Sequence, residues 1–133
     1  MPNENRVSLM KLRLEQAQEC LDSAVLLWDA ESYKAAANRS YYCIFQSMRA
    51  VLALDCFDSK RHSGIMSEFR KKYIKTGIIP TEYSQIIEQS FDVRNSSDYE
   101  DYYVISKSDV AEQIENARAF LNVIEEYIKT LQL

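Results

Sequence analysis

Seven apolar positions near the start of the chain, Val7, Met10, Leu14, Ala17, Leu21, Ala24 and Trp28, follow one another at steps of three and four. That spacing puts all seven side chains on one stripe of a helix, which it predicts from about Asn5 to Ala30. Ser32 is placed to cap a second helix from Tyr33 to Leu54. Its run AAANRSYYCIFQSMRAVLAL is apolar nearly all round, the pattern of a central, buried helix. Asn38, Arg39 and Arg49 interrupt that run. A charge left buried and unpaired there costs about 3 to 5 kcal/mol, so each must reach solvent or find a partner.

Ile65, Phe69 and Tyr73 recur four apart and predict a short third helix from about Ser63 to Lys75, ended by Thr76-Gly77. Pro80 and Thr81 open the fourth. Along it Tyr83, Ile87 and Phe91 lead into Arg94 and Asp98, so the apolar stripe ends in an ion pair one turn apart. Ser106 to Asp109 reads as a capping box, and Val110, Ile114, Ala117, Leu121, Ile124, Ile128 and Leu131 carry the fifth helix. Four long helices and one short one, joined by brief connections, predict an all-α, mainly antiparallel five-helix bundle forming a single domain over residues 1–133. The regular stripes of the first and fifth helices also offer an edge for self-association.

Composition sharpens this picture. With two glycines and two prolines in 133 residues, 47% of them hydrophobic, the chain has few sharp turns and enough apolar surface to bury a core without a metal or disulfide. Cys20, Cys43 and Cys56 are odd in number, lack C-x-x-C spacing and lie in apolar stretches, so they are expected to be buried thiols in a reducing compartment. The first residues are charged where a signal peptide needs an apolar core, and no stretch has the length of a membrane span; the expectation is a cytoplasmic protein with no membrane association. The net charge of −4 argues against strong non-specific binding to polyanions. Its distribution is uneven: Lys60, Arg61, Arg70, Lys71, Lys72 and Lys75 stand against Glu68, while Asp92, Asp98, Glu100 and Asp101 stand against Arg94.

Several chemistries drop out. Two glycines supply neither a dinucleotide fingerprint nor a phosphate loop. His62 is the sole histidine, too few for a di-iron bundle or a clustered zinc site, so neither metal nor cofactor is expected. Nothing in the sequence brings Cys43 or Cys56 to His62 as a nucleophile pair. Beside Lys60 and Arg61, His62 is expected to be an exposed residue at a helix start.

Three stretches, Ala37-Asn38-Arg39-Ser40-Tyr41-Tyr42-Cys43-Ile44-Phe45, then Lys60-Arg61-His62, then Arg94-Asn95-Ser96-Ser97-Asp98-Tyr99, together resemble the small stand-alone HEPN proteins (higher eukaryotes and prokaryotes nucleotide-binding), and the likeness spans nearly the whole chain. The resemblance implies a five-helix bundle that pairs as a homodimer and often accompanies a minimal nucleotidyltransferase in toxin–antitoxin systems. It also implies, for many members, metal-independent ribonuclease activity from an arginine followed after four to six residues by histidine, the histidine acting as acid or base and the arginine stabilising phosphate charge. Here Arg94 fits, but the window holds Tyr99, Glu100 and Asp101, and a phenol with a pKa of about 10 is a poor base at neutral pH. His62 would have to come from another part of the fold to replace the motif histidine. In related toxins a tyrosine two residues beyond that histidine accepts adenylate, and the longest spacing would put it at Tyr103.

Three readings follow. The first is a dimeric module binding a nucleotide, RNA or a nucleotidyltransferase partner, with Arg39, Tyr42, Asp98 and Tyr99 lining the ligand site or dimer cleft beside Arg94 and His62. The second is a ribonuclease toxin with Arg94, and His62 if it reaches, as the catalytic groups. The third is a catalytically silent interaction module in which Arg39, Tyr42, Arg94 and Asp98 only fix helix packing.

Overall fold

The fold is that of a computed structural model, which describes residues 3–133. Five α-helices follow in order: α1 (Glu4–Asp29), α2 (Tyr33–Leu54), α3 (His62–Phe69), α4 (Glu82–Tyr99) and α5 (Lys107–Thr130), and no strand occurs among the described residues. The all-α bundle of four long helices and one short one is as the hydrophobic spacing predicts. α2 is its axis, packed against α1, α3, α4 and α5, with Tyr41, Cys43, Ile44, Met48, Val51 and Leu52 fully enclosed. No helix among the described residues is long and apolar enough to cross a membrane.

Helix ends follow local chemistry. Asn3 caps α1 by accepting the Arg6 N–H at 2.9 Å, and Ser106 caps α5 by accepting the Asp109 N–H at 3.1 Å. Ser32 precedes α2 as expected, but its hydroxyl makes no capping bond; only its carbonyl joins the helix, accepting from Ala36. With so few glycines, the chain places Glu31 (φ 64°) and Cys56 (φ 61°) in the left-handed region just beyond α1 and α2, where a side chain costs roughly 1 to 2 kcal/mol. Gly77 (φ 80°) takes that conformation freely and turns the chain after the third helix, as expected.

Two expectations need correction. The segment from Ser63 to Lys75 is not one α-helix: α3 passes into a π-helical turn over Arg70–Ile74, where Lys75 N–H reaches the Arg70 carbonyl at 2.8 Å. The cause lies in the four-residue spacing itself. Each such step overshoots a 3.6-residue turn by about 40°, and the wider π turn takes up the excess so that Ile65, Phe69 and Tyr73 all stay in the core. The cysteines are not uniformly buried either: Cys43 is, Cys20 is half-buried, and Cys56 is exposed because it sits in the turn after α2 ends.

Of the α2 charges, Arg49 finds an ionic partner. Arg49 pairs with Asp58 at 3.1 Å, and Asp58 also receives Arg13 at 3.3 Å. Arg13 itself, unnoticed in the α1 stripe, is 6% exposed and donates to the Arg49 carbonyl at 3.0 Å. This clasp ties α1, α2 and the loop before α3 together. Truncating Arg13→Ala removes two hydrogen bonds from a charged donor and should lower the unfolding free energy by about 2 kcal/mol in urea denaturation; a loss below about 0.5 kcal/mol would contradict the clasp.

Candidate functional site

On α2, Asn38, Tyr41, Tyr42 and Phe45 fall on one helical face by their three- and four-residue spacing. That face meets the start of α3 and the C-terminal half of α4. The loop before α3 is set by hydrogen bonds from Ser59 N–H to Asp58 Oδ1 at 2.8 Å and from Arg61 N–H to Ser59 Oγ at 3.2 Å. Gly64 packs so tightly on this loop that an added Cβ would lie 2.4 Å from Ser59 Oγ. The tight turn brings His62, the first residue of α3, back onto α2.

His62 is therefore not the exposed residue expected from its basic neighbours. It is half-buried, stacked on Phe45 at 4.2 Å between centroids, edge-on to Tyr42 at 5.8 Å, and hydrogen-bonded through Nδ1 to the Tyr41 hydroxyl at 2.7 Å. Burial first, then the positive charges of Arg94 and Arg49, lower its pKa from the ordinary value. Burial also holds the Tyr41 phenol far above its usual range, although Arg94 opposes this. At neutral pH the pair is thus neutral imidazole and neutral phenol. With Nδ1 engaged, Nε2 is left as either a donor or an acceptor, according to which partner donates in the shared bond.

Arg94 lies half-buried on α4, its guanidinium 5.5 Å from the Tyr41 ring centroid, 5.6 Å from that of Tyr42 and 5.6 Å from that of Tyr99. It donates to the Tyr42 hydroxyl at 3.2 Å and to Asn95 Oδ1 at 3.1 Å. The expected pair with Asp98 forms, Nε to Oδ2 at 3.0 Å, but the Nε–H is not directed at the carboxylate and carries no hydrogen bond. Asp98 also accepts from Asn38 Nδ2 at 3.0 Å. Arg39 also lies against this group, 5.1 Å from the Tyr42 ring centroid, and donates to Asn38 Oδ1 at 2.8 Å.

The six residues singled out from the sequence, Arg39, Tyr42, His62, Arg94, Asp98 and Tyr99, thus fall in one connected cluster. Sequence reasoning missed the groups that join them. Tyr41 looks like core and is fully enclosed, yet it holds the imidazole; Asn38 bridges Arg39 to Asp98; Phe45 is the floor under His62. The available signal was the helical spacing of Asn38, Tyr41, Tyr42 and Phe45 within a stretch already marked for its resemblance.

Electrostatically the cluster is unbalanced. Two guanidinium groups lie against one tyrosine ring, and Asp98 is the single carboxylate joined to them. Among the ion pairs of the described residues none includes Arg39. Arg39, Tyr42, His62 and Arg94 are each only half-buried. An anion approaching this face meets free N–H groups, an excess of positive charge and a neutral imidazole. Nothing comparable favours a cation: among the described residues no three His, Cys, Asp or Glu side chains gather as a metal set.

Known proteins resemble this chain over most of its length. The chain is similar to a UPF0332 protein of Thermotoga maritima, with 32% identity over 117 residues, covering 88% of this chain and 89% of that protein. A candidate toxin of Methanocaldococcus jannaschii is 28% identical over 131 residues, covering 92% and 89% respectively. The fold is also that of a crystal structure of an archaeal HEPN homologue, with a TM-score of 0.69 and 19% identity over 88% of this chain and 95% of the other. The family model for the HEPN domain matches residues 10–127, a span that holds every residue of the cluster, and the chain accordingly belongs to the HEPN family.

Proposed function

We propose that this protein is the HEPN component of a toxin–antitoxin-like pair in the cytoplasm, binding the phosphate of RNA or of a nucleotide at the Arg39–Tyr42–Arg94 face. The observation that carries this reading is the pair of guanidinium groups that lie 5.1 and 5.6 Å from the Tyr42 ring centroid, joined by the single carboxylate of Asp98. Planar guanidinium groups with unused donors suit phosphate oxygens, and the exposed ring of Tyr99 beside Arg94 suits stacking on a base. The toxin role draws on the name of the Methanocaldococcus jannaschii relative. A homodimer and a nucleotidyltransferase partner extend the family resemblance, and the open, half-buried character of the face suits completion by a second copy.

A second reading, metal-independent ribonuclease, is favoured by one specific observation: the fold brings His62 into the Arg94 cluster, where the missing motif histidine would otherwise be needed. In this chemistry Nε2 of neutral His62 takes the proton of a ribose 2′-hydroxyl. The 2′-oxygen then bonds to the adjacent phosphorus, the bond to the 5′-oxygen breaks, and that oxygen leaves with a proton from water. Arg94 stabilises the charge that builds on the phosphoryl oxygens.

These readings separate experimentally. Arg94→Gln removes a charge-assisted contact of about 1.5 to 3 kcal/mol and should weaken RNA binding, read by fluorescence anisotropy, by about tenfold or more while the melting temperature stays close to that of the parent. Unchanged affinity would overturn the phosphate-binding reading, whereas a stability loss of about 3 kcal/mol with no RNA binding by the parent would favour the silent module.

If the protein cleaves RNA, it should do so in EDTA, and His62→Ala should abolish cleavage. Because the pKa of His62 is lowered, its base form should grow as pH rises through that lowered value and already predominate at the ordinary value of about 6.5. The rate should therefore climb with pH in the acid range and reach half its plateau at a lower pH than an ordinary imidazole would give. Intact RNA throughout would exclude the ribonuclease reading and leave the binding role standing.

A further inference from the structure

A groove of about 350 Å³ runs beside α3 and its π-helical turn, lined by Ser63, Met66, Ser67, Arg70, Lys71 and Lys75. Four of these, Ser63, Ser67, Lys71 and Lys75, recur every four residues. On an unbroken α-helix such a row would wind off the face by about 40° per step. The π turn over Arg70–Ile74 counters that drift, so the correction that keeps Phe69 and Tyr73 in the core also lines two hydroxyls and two ammonium groups along one groove. Turns of this kind often mark functional sites in helices.

The charges are not equally available. Arg70 is held by Glu88 at 3.0 Å and Lys72 by Glu68 at 3.1 Å. No ion pair among the described residues includes Lys60, Arg61, Lys71 or Lys75, and all four are exposed. The row starts at Ser63, next to His62, so one end of the groove adjoins the Arg39–Arg94 face. Hydroxyl and ammonium donors repeated at intervals, with the neighbouring carboxylates already paired, complement a chain of regularly spaced anions.

We infer that this groove is a track for the sugar-phosphate backbone of single-stranded RNA, leading it to the Arg39–Arg94 face. The inference rests on the phosphate-binding reading above and names its ligand as a polynucleotide rather than a free mononucleotide. Lys71 and Lys75 hold successive phosphates, Ser63 and Ser67 donate to phosphate oxygens nearer His62, and Lys60 and Arg61 widen the positive field at that end.

The test uses a fluorescein-labelled oligouridylate of about a dozen nucleotides, with affinity read by anisotropy over a series of KCl concentrations. The parent is compared with Lys71→Glu/Lys75→Glu, with Arg94→Gln, and with a control of equal charge change at lysines that do not line the groove, Lys11→Glu/Lys129→Glu. All four lysines are exposed, so these variants should keep the fold. The groove variant should bind about tenfold more weakly or worse at physiological salt. Its plot of log Kd against log[KCl] should flatten by about 1.4, at roughly 0.7 per lost single-strand phosphate contact. The control should stay within about twofold of the parent.

A groove variant that binds like the parent while Arg94→Gln binds weakly overturns the track and leaves the phosphate site intact. A control that weakens as much as the groove variant reduces the effect to net charge and also overturns the track. Failure of the parent to bind the oligonucleotide at any salt overturns the track, together with the RNA form of the phosphate-binding reading.

Discussion

A helix surrounded by four others must satisfy its polar groups from within the protein, and α2 carries Asn38, Arg39, Tyr41, Tyr42 and Arg49 in such a position. Unpaired groups of this kind cost several times more than a typical hydrogen bond returns, so the surrounding elements are fixed by the need to meet them. At one end Asp58 and Arg13 meet Arg49. Along the other, Arg94 and Asp98 meet Tyr42 and Asn38, and His62 meets Tyr41. The Asp58 contacts continue through Ser59 to the tight turn at Gly64, so the same clasp that secures α1 to α2 also positions the imidazole. At the Arg49 end, stability and the placement of His62 depend on one set of polar contacts.

That dependence explains which features were legible in the sequence. Apolar spacing reports where side chains face, and it accounts for α1, α2 and α5, while local turn chemistry accounts for the Ser106 cap and the Gly77 stop. It says little about polar residues that enter the core with partners. Arg13 sits in a stripe that counts only apolar residues, and its partner Asp58 lies 45 positions away. His62 was misplaced for a related reason: its neighbours in sequence are charged and exposed, while its neighbours in space are Tyr41, Tyr42 and Phe45. The π turn is an intermediate case, since the four-residue spacing of Ile65, Phe69 and Tyr73 held the mismatch with a 3.6-residue period from the outset.

The site is legible as a set of residues and not as an arrangement. The family resemblance selected Arg39, Tyr42, His62, Arg94, Asp98 and Tyr99, but their joint meaning lies in geometry: two cations against one ring, a carboxylate that balances only one of them, and a neutral imidazole on the same ring. The departure from the family's arginine–histidine spacing also looks different in three dimensions. The window after Arg94 holds Tyr99, Glu100 and Asp101, while the one histidine of the chain meets Tyr42 from α3. The basic row that begins beside it gives this face a direction, from the exposed lysines toward the guanidinium pair.

Because His62 is the sole histidine, its imidazole carbon-bound proton can be followed by NMR without ambiguity through a pH titration, alone and with saturating uridine 3′-monophosphate. The account predicts a free pKa below the ordinary value, raised when the phosphate dianion binds between Arg39 and Arg94, since nearby negative charge favours imidazolium. An ordinary pKa in the free protein, or a titration curve that the nucleotide does not move, would contradict the placement of a phosphate site against His62.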